Sequence, residues 1–289
     1  MNFKYLWVDL MDSYRPQMTQ AGRSPVHRAT VVNHLGERRE IWVPGETPLT
    51  IKIDGQEIVT LMTLGTHPEE LALGYLRNQR LVERMEEIAS VAVDWEKEIA
   101  WLRTTHGQGI SELKEKISKM TVTSGCGQGT IFSCTLDKIL ELRLPPLTVR
   151  QSHLYGLMKA VSQSDVLYKQ AGSVHGCGLC REDRVLLFIE DVGRHNAADS
   201  ISGRMWLERI PGEDKILYTT GRLTSEIVMK AAIMRIPVLL SRSGVTQMGL
   251  ELAQGLNMTI IARARGKRFL VYNGAEQVVF DARPVEEGS

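Results

Sequence analysis

The segment VLLFIEDVGRHNAADSISGRMWLERI, residues 185–210, joins a short apolar run to a helix-forming stretch. The run VLLFIE (185–190) is rich in branched and aromatic side chains, which predicts a buried β-strand. The stretch HNAADSISGRMWLERI (195–210) predicts an α-helix. The junction DVGRH (191–195) is therefore expected to form a strand-to-helix turn.

The same alternation continues to the end of the chain, and a helix precedes it. The predicted elements are helix 151–170, strand 215–220, helix 224–234 capped by Thr224 or Ser225, strand 236–241, helix 246–256, and strands 257–264 and 268–274. Strands and helices at this spacing predict an α/β layered fold. In open sheets of this kind, the strand-to-helix turns line the ligand crevice. The turns DVGRH, TGRLTSE and SRSGVTQ are therefore candidates for a binding site.

The first half of the chain predicts a β-rich part. TIKIDGQEIVTLM (50–62) reads as two strands joined by Asp54-Gly55, which is a two-residue hairpin signal. A helix is expected to start at Thr66-His67-Pro68-Glu69, with Thr66 as cap and Glu69 completing a capping box, and to continue through residue 83. Residues 88–104 predict two further strands, and residues 109–119 a short helix.

These elements predict four segments. They are an N-terminal arm without regular structure (1–28), a β-rich N-terminal subdomain (29–120), a cysteine loop with linker (121–150) and an α/β domain (151–289).

Composition excludes several classes of protein. The chain has 289 residues, of which 43% are apolar, and a net charge of +1. It therefore lacks the overall positive charge that is typical of nucleic-acid-binding proteins. No apolar run approaches the ~20 residues that span a bilayer, and the N-terminus lacks the pattern of a signal peptide. We therefore expect a cytoplasmic protein that does not insert into membranes. In that compartment, four cysteines are expected to be free, catalytic or metal-bound.

The loop TVTSGCGQGTIFSC (121–134) places Cys126 between Gly125 and Gly127. A thiolate nucleophile needs exposure and either positive surroundings or backbone N–H groups. Flanking glycines let the backbone close around a sulfur atom. Cys126 is therefore either a reactive cysteine or an incidental residue of a flexible loop.

A second cysteine segment is GSVHGCGLC (172–180), which contains His175, Cys177 and Cys180. The spacing Cys-x-x-C suits redox chemistry or metal binding, and a nearby histidine suits zinc. A zinc site would need a fourth ligand from Cys126, Cys134 or His195. The alternative is a tight turn of small residues with no chemical role.

Two polar segments complete the candidates. In EDVGRHNAAD (190–199), Arg194 can pair with a phosphate or carboxylate and His195 titrates near neutral pH. The alternative is a capped helix with an ordinary ion pair. In IARARGKRF (261–269), four cations surround Gly266 on a predicted hairpin turn, which suits a phosphate or an acidic partner as well as a solvated turn.

Taken together, these blocks resemble the FdhD/NarQ family of formate dehydrogenase accessory sulfurtransferases. The blocks are EDVGRHNAAD, TTGRLTSEIVMKAA, SRSGVTQMGLELA and GKRFLVYNG, with His175 before them and SGCGQG as the cysteine loop. The resemblance implies a fold similar to that of cytidine deaminases and a homodimer. It also implies a sulfur carrier that accepts a persulfide from a cysteine desulfurase.

The acceptor implied by the resemblance is the molybdenum (or tungsten) bis-molybdopterin guanine dinucleotide cofactor, bound as cargo before its insertion into formate dehydrogenase. Carried over, Cys126 is the persulfide-bearing cysteine, and no resident metal or permanent cofactor is implied. The residues expected to bind the cofactor are Arg263, Ala264, Arg265, Gly266, Lys267, Arg268, Arg194, His195, Arg222, Thr224, Ser225 and His175. Pyrophosphate groups need cations and helix N-termini, and these residues offer both.

Two alternatives stay open, and the first of them follows from a departure from the family pattern. The family loop usually reads GCGxCG, whereas this chain has Gly129 in place of the second cysteine. The first alternative is a chaperone that binds the bis-guanine cofactor without moving sulfur. The second is a zinc hydrolase or deaminase built on His175, Cys177 and Cys180, although the His-x-Glu and Pro-Cys-x-x-Cys signatures of zinc deaminases are not present in this segment.

Overall fold

The computed structural model describes residues 14–107, 120–123, 129–132, 139 and 141–282. Within these ranges the strands are β1 (Gln17–Met18), β2 (Val26–Val32), β3 (Arg38–Pro44), β4 (Thr47–Ile53), β5 (Gln56–Thr63), β6 (Ile88–Asp94), β7 (Ile99–Thr104), β8 (Met120–Thr123), β9 (Gly129–Phe132), β10 (Val149–Arg150), β11 (His175–Arg181), β12 (Arg184–Asp191), β13 (Ile216–Thr219), β14 (Val238–Ser241), β15 (Thr259–Arg265), β16 (Arg268–Asn273) and β17 (Val278–Val279). The α-helices are α1 (Pro68–Asn78), α2 (Gln151–Ser164), α3 (Val166–Ala171), α4 (Arg194–Leu207), α5 (Ser225–Ile233) and α6 (Gln247–Gly255).

The C-terminal half is built on a six-stranded sheet with the order β12-β11-β13-β14-β15-β16. The strands β13, β14 and β15 are parallel because α5 and α6 connect them, as the alternating sequence predicted. The hairpins β11/β12 and β15/β16 add antiparallel strands at the two ends. One face packs against α4, α5 and α6 and the other against α2. The predicted α/β layered fold is therefore confirmed, with helices on both faces of the sheet.

The strand β11 is the main element that the sequence did not predict. Its residues 175–181 were interpreted as a possible tight turn, but they form a strand that pairs with β12 on one side and β13 on the other. Six of its seven residues are buried or partly buried between these two neighbours, and only Arg181 is exposed. Glycine is depleted in strands, which hid this element from a propensity-based reading.

The N-terminal half contains a five-stranded sheet with the order β1-β6-β7-β4-β5, which packs against α1. The predicted hairpin at Asp54-Gly55 is confirmed: it joins β4 to β5, and both residues have positive φ, at 44° and 85°. The predicted strand pair in residues 88–104 is confirmed as β6 and β7. Residues 14–28, predicted to lack regular structure, contribute β1 to this sheet and begin β2.

The helix α1 differs from the prediction at both ends. Its N-cap is His67 rather than Thr66, with no side-chain capping bond. Glu69 instead accepts hydrogen bonds from Thr19 Oγ1 at 2.6 Å and from the backbone N–H of Ala21 at 2.9 Å, so it anchors the N-terminal segment. The helix ends at Asn78, five residues before the predicted end, because Arg80 adopts a positive φ of 53°.

The helix predicted over residues 151–170 is divided into α2 and α3 at Asp165. Glu190, at the end of β12, accepts hydrogen bonds from the backbone N–H groups of Val166, Leu167 and Tyr168 at 2.8–3.1 Å. These are donors that the first turn of a helix leaves unpaired. The carboxylate therefore fixes the start of α3. The helix predicted at 109–119 lies outside the described residues, and among the described helices none is long and apolar enough to cross a membrane.

The two halves meet where α1 crosses α4 at very short range. A Cβ on Gly74 would lie 1.7 Å from the carbonyl oxygen of Asp199, and one on Gly203 would lie 1.9 Å from that of Glu70. Only glycine lets the two backbones approach so closely. Leu207, at the end of α4, belongs to the core of the N-terminal sheet, so the C-terminal half contributes directly to that core.

We expect Gly203→Ala to destabilise the fold by more than about 3 kcal/mol, because the added methyl group overlaps backbone that has no room to move. In an unconstrained helix the same change would instead stabilise by about 1 kcal/mol. Urea unfolding measures the difference. The matched control is Gly244→Ala, where no heavy atom lies within 4 Å of the new Cβ. Equal midpoints for the two variants would contradict the close crossing.

Candidate functional site at the carboxyl edge of the main sheet

The candidate residues of the main sheet lie along one edge. The parallel strands β13, β14 and β15 end there, and the antiparallel neighbour β11 begins there with His175. His175 pairs with Asp191, so β12 ends and α4 begins at the same edge. The topology therefore brings together residues from five strands, although these residues lie up to ninety positions apart in the sequence. A crevice at the carboxyl ends of parallel strands is expected to combine residues in this way.

The loops after β13 and β14 are held side by side by their backbones. The N–H of Leu223 donates to Gly244 O at 2.9 Å, and that of Thr246 donates back to Leu223 O at 3.0 Å. The next loop joins them, because Arg263 donates its backbone N–H to Ser243 O at 2.7 Å. The side chains of this edge thus project from a hydrogen-bonded frame.

Five exposed cations lie after β13, in the last residues of β15 and at the turn into β16. We call this set the basic edge, and its members are Arg222, Arg263, Arg265, Lys267 and Arg268. None of them has a carboxylate within 4 Å in the part of the chain that the structure describes. Gly266 forms the turn between β15 and β16 with a φ of 57°. Ala264 is buried against the α2 side of the sheet, so it can offer a ligand only its backbone.

Thr224 and Ser225 lie at the start of α5, beside the basic edge. The sequence predicted Thr224 or Ser225 as the N-cap of this helix, and the structure has Thr224 at that position. The Thr224 side chain makes no capping hydrogen bond. Ser225 is buried at the first helical position. The first N–H groups of this helix therefore point toward the same edge as the cations, which favours an anionic ligand there.

Next to the basic edge, a cavity of about 450 Å³ opens between β5 and the start of α4. We call it the histidine cavity, and its lining residues are Glu46, Thr60, Leu61, Met62, His175, Val192, Gly193, Arg194, His195 and Asn196. The structure thus brings together three of the predicted site residues, His175, Arg194 and His195. Burial, and after it the positive charges nearby, lower the pKa of His175, and burial lowers that of His195 to about 2. Both imidazoles are therefore neutral near pH 7.

Beside the lining residues Val192 and Asn196, Asp191 ties the two halves of the protein together. This buried carboxylate accepts from Thr63 Oγ1 at 2.5 Å and from the Leu64 N–H at 3.2 Å, both in the N-terminal half. It also accepts from Asn196 Nδ2 at 2.9 Å, and Asn196 donates to Met62 O at 2.6 Å. The segment EDVGRHNAAD is therefore partly a structural clamp.

A buried ionic network lies behind His195. Lys230 Nζ is 2.6 Å from Asp199 and 3.4 Å from Glu226, and His195 Nε2 is 3.2 Å from Glu226. Asn78 of α1 donates to Asp199 at 2.7 Å. Burial alone would lower the pKa of Lys230, but the two carboxylates together raise it, so the ammonium stays charged. Sequence reasoning missed this network, because TSEIVMKAAIM reads as an apolar helix; a lysine within such a run was the available signal.

The interpretation of His175, Cys177 and Cys180 as one metal or redox site is wrong. Cys177 faces the core under α4–α6, whereas Cys180 faces the core under α2, on the other side of the sheet. Both thiols are fully buried, and burial raises the pKa of Cys177 to about 12 and that of Cys180 further. Among the described residues no group of three His, Cys, Asp or Glu side chains could hold a metal ion. Cys126 and Cys134 lie outside the described residues.

Comparisons with known proteins agree on one family. The sequence model of the FdhD/NarQ family matches residues 44–279. The sulfur carrier protein FdhD of Bacillus pumilus is 32% identical over 81% of this chain and 88% of its own length. That of Geobacillus kaustophilus is 30% identical over 90% of this chain and 97% of its own. A crystal structure described as a formate dehydrogenase accessory protein from Desulfotalea psychrophila superposes with a TM-score of 0.70 at 28% identity, covering 88% and 98% of the two chains.

We expect Lys230→Met to destabilise the protein by about 3–5 kcal/mol, because it leaves Asp199 and Glu226 buried without their ammonium partner. Urea unfolding at pH 7 measures the change. Lys97→Met is the control, since it removes a lysine from the exposed pair with Asp94. If both variants unfolded at the same urea concentration, the network would not hold the helices together.

The pH dependence of stability should carry the signature of His195. Its pKa is about 2 in the folded chain against 6.5 for an ordinary histidine, so between these values only the unfolded chain binds the proton. The free energy of unfolding then decreases as the pH falls below 6.5, by about 1.4 kcal/mol per pH unit for one proton. We expect a shallower slope in His195→Gln, measured by urea unfolding from pH 7 to pH 4. His34→Gln removes an exposed histidine and should keep the slope of the unsubstituted chain; a His195→Gln slope that also stayed unchanged would contradict the neutral assignment.

Proposed function

The chain belongs to the FdhD/NarQ family, and on that premise we propose that it is a sulfur carrier protein that serves a formate dehydrogenase. Support comes from relatives named for sulfur carriage and from a structural neighbour described as a formate dehydrogenase accessory protein. The structural observation that carries the proposal is the basic edge beside the start of α5. It offers several cations without carboxylate partners, among the described residues, at the sheet edge where α/β folds bind ligands.

In the proposed reaction, Cys126 receives sulfur from a cysteine desulfurase. The Cys126 thiolate attacks the terminal sulfur of the desulfurase persulfide, a new S–S bond forms, and the desulfurase cysteine leaves as a thiolate. The step conserves electrons and needs no external oxidant. Cys177 and Cys180 are poor candidates for this role because both are fully buried and stay protonated.

The proposed acceptor is the molybdenum or tungsten bis-molybdopterin guanine dinucleotide cofactor, bound as cargo. Its two pyrophosphate groups are polyanionic, and arginine matches phosphate oxygens with paired donors. The basic edge with Arg222, Arg263 and Arg265 suits such a ligand, and the backbone N–H groups after Thr224 suit it further. The terminal sulfur of Cys126 would then pass to the metal of this bound substrate. The S–S bond breaks, Cys126 leaves as a thiolate, and the metal, supplied in its reduced state, gives the two electrons that convert the sulfur into a sulfido ligand.

The second candidate function is a chaperone that binds the bis-guanine cofactor without moving sulfur. It is favoured by Gly129, which stands where the family usually has a second loop cysteine. With Cys177 and Cys180 buried, neither replaces that cysteine at an accessible position.

We expect sulfur loading at Cys126. The reduced protein is incubated with a cysteine desulfurase and cysteine, alkylated in the folded state, and analysed by peptide mass spectrometry. One added sulfur atom should appear on the Cys126 peptide and disappear in Cys126→Ala, because a glycine-flanked thiol can reach the donor. Cys134→Ala is the matched control and should keep the loading. Binding of guanosine diphosphate to the same samples is measured by calorimetry.

The two functions give different results in this experiment. A sulfur adduct on Cys126 together with nucleotide binding supports the carrier. Nucleotide binding with no adduct on any cysteine supports the chaperone. An adduct on Cys177 or Cys180 of the folded protein would contradict the burial of these thiols and the assignment of Cys126.

A further inference from the structure

The histidine cavity has a mixed lining that suits a ligand other than a phosphate. Leu61, Met62 and Val192 form apolar walls, and Glu46 lies at the exposed rim. Only one cation, Arg194, lines the cavity among the described residues. A polyanion would lose much of its hydration there and meet a single guanidinium, whereas a weakly hydrated, polarisable group would lose little.

Arg194 can reach the cavity because Gly221 has no side chain and leaves room for the arginine. The arginine side chain crosses this glycine: a Cβ there would lie 2.4 Å from Arg194 Cδ and 3.2 Å from Arg194 Cβ. Arg194 itself is 6% exposed, so its guanidinium acts in a largely dry environment. Its charge helps to lower the pKa of both His175 and His195, after the larger effect of burial, which places it close to the two imidazoles.

The tautomers of the two histidines follow from their neighbours. The Gly176 N–H donates to Thr220 Oγ1 at 3.1 Å, so the threonine hydroxyl is free to donate to His175 Nδ1 at 3.2 Å. With the hydroxyl as donor, we assign the proton of His175 to Nε2, which is then a donor. At His195, Nε2 lies 3.2 Å from the Glu226 carboxyl without a hydrogen bond between them. The nearby carboxyl oxygen assigns the proton to Nε2, which leaves Nδ1 as an acceptor.

We propose that the histidine cavity binds a terminal S–H sulfur, which is either free hydrosulfide or the outer sulfur of a cysteine persulfide. The sulfur accepts from His175 Nε2–H and from the Arg194 guanidinium, and its proton is donated to His195 Nδ1. The apolar walls favour sulfur over oxygen anions because sulfur is larger and less strongly hydrated. The choice of sulfur as ligand rests on the proposed carrier function; the donor and acceptor pattern rests on the tautomers assigned from the neighbouring groups.

The test uses the full, reduced chain with ¹⁵N-labelled histidines, titrated under anaerobic conditions with sodium hydrosulfide and, in a second arm, with cysteine hydropersulfide. Ring-nitrogen signals of His175 and His195 should shift and saturate, while those of the other histidines among the seven stay constant. Sodium chloride at the same ionic strength is the salt control and should produce no saturable shift.

Matched glycine variants test the position of Arg194. Gly221→Ala displaces the Arg194 side chain and should weaken binding by about tenfold or more, the usual effect of a lost charge-assisted hydrogen bond. Gly244→Ala, with open space at its Cβ, should bind like the unsubstituted chain. His175→Gln, checked for folding by its spectrum, provides a second variant that should weaken binding if Gly221→Ala does not fold.

The outcomes separate the inference from the carrier function. Tighter binding of hydrosulfide supports the free form, and tighter binding of hydropersulfide supports the carried form. No saturable shift at either histidine, shifts that chloride reproduces, or unchanged affinity in the folded variants would overturn the inference. Because no desulfurase takes part, the cavity can fail this test while Cys126 is still loaded with sulfur, and the reverse can also occur.

Discussion

The buried ammonium of Lys230 is the interaction on which the arrangement of the helices depends. Lys230 and Glu226 come from α5, Asp199 comes from α4, and Asn78 connects the same carboxylate to α1. A buried ion group is costly to remove from water and tolerates few alternative geometries. It therefore fixes the relative positions of three helices, and α4 carries Arg194 and His195 at its first two positions. The network supports the site without touching the basic edge.

The close crossing of α1 and α4 makes this arrangement possible. Gly74 and Gly203 remove the side chains that would otherwise separate the two helices, and Asn78 can then reach Asp199. Asp191 connects the halves a second time, through Thr63 and Leu64 at the end of β5. The walls of the histidine cavity also belong to both halves of the chain.

The sequence predicted those parts of the fold whose signals are local. The alternation of strands and helices from residue 185 onward was correct because each element has its own period and length, and the Asp54-Gly55 hairpin was correct because the turn residues are specific. Strand β11 was missed because Gly176 and Gly178 weaken its pattern, and the reason for a glycine at 176 is non-local: a Cβ there would lie 2.5 Å from Phe188 Cζ. Arg194 and Arg222 could be placed on one edge from topology because they lie in predicted strand-to-helix turns, whereas His175 could not because its strand was missed. The ionic network could not, since it depends on how α1 crosses α4.

The burial of Cys177 and Cys180 on opposite faces of the sheet has a consequence for the life of the chain before it folds. Two of its four thiols become inaccessible only when β11 is enclosed between β12 and β13. Until then, a newly made chain presents them to oxidants and to other thiols in the same way as any exposed cysteine. Folding thus shields these two sulfur atoms from reaction, and mixed disulfides formed during synthesis would keep β11 from taking its place between β12 and β13.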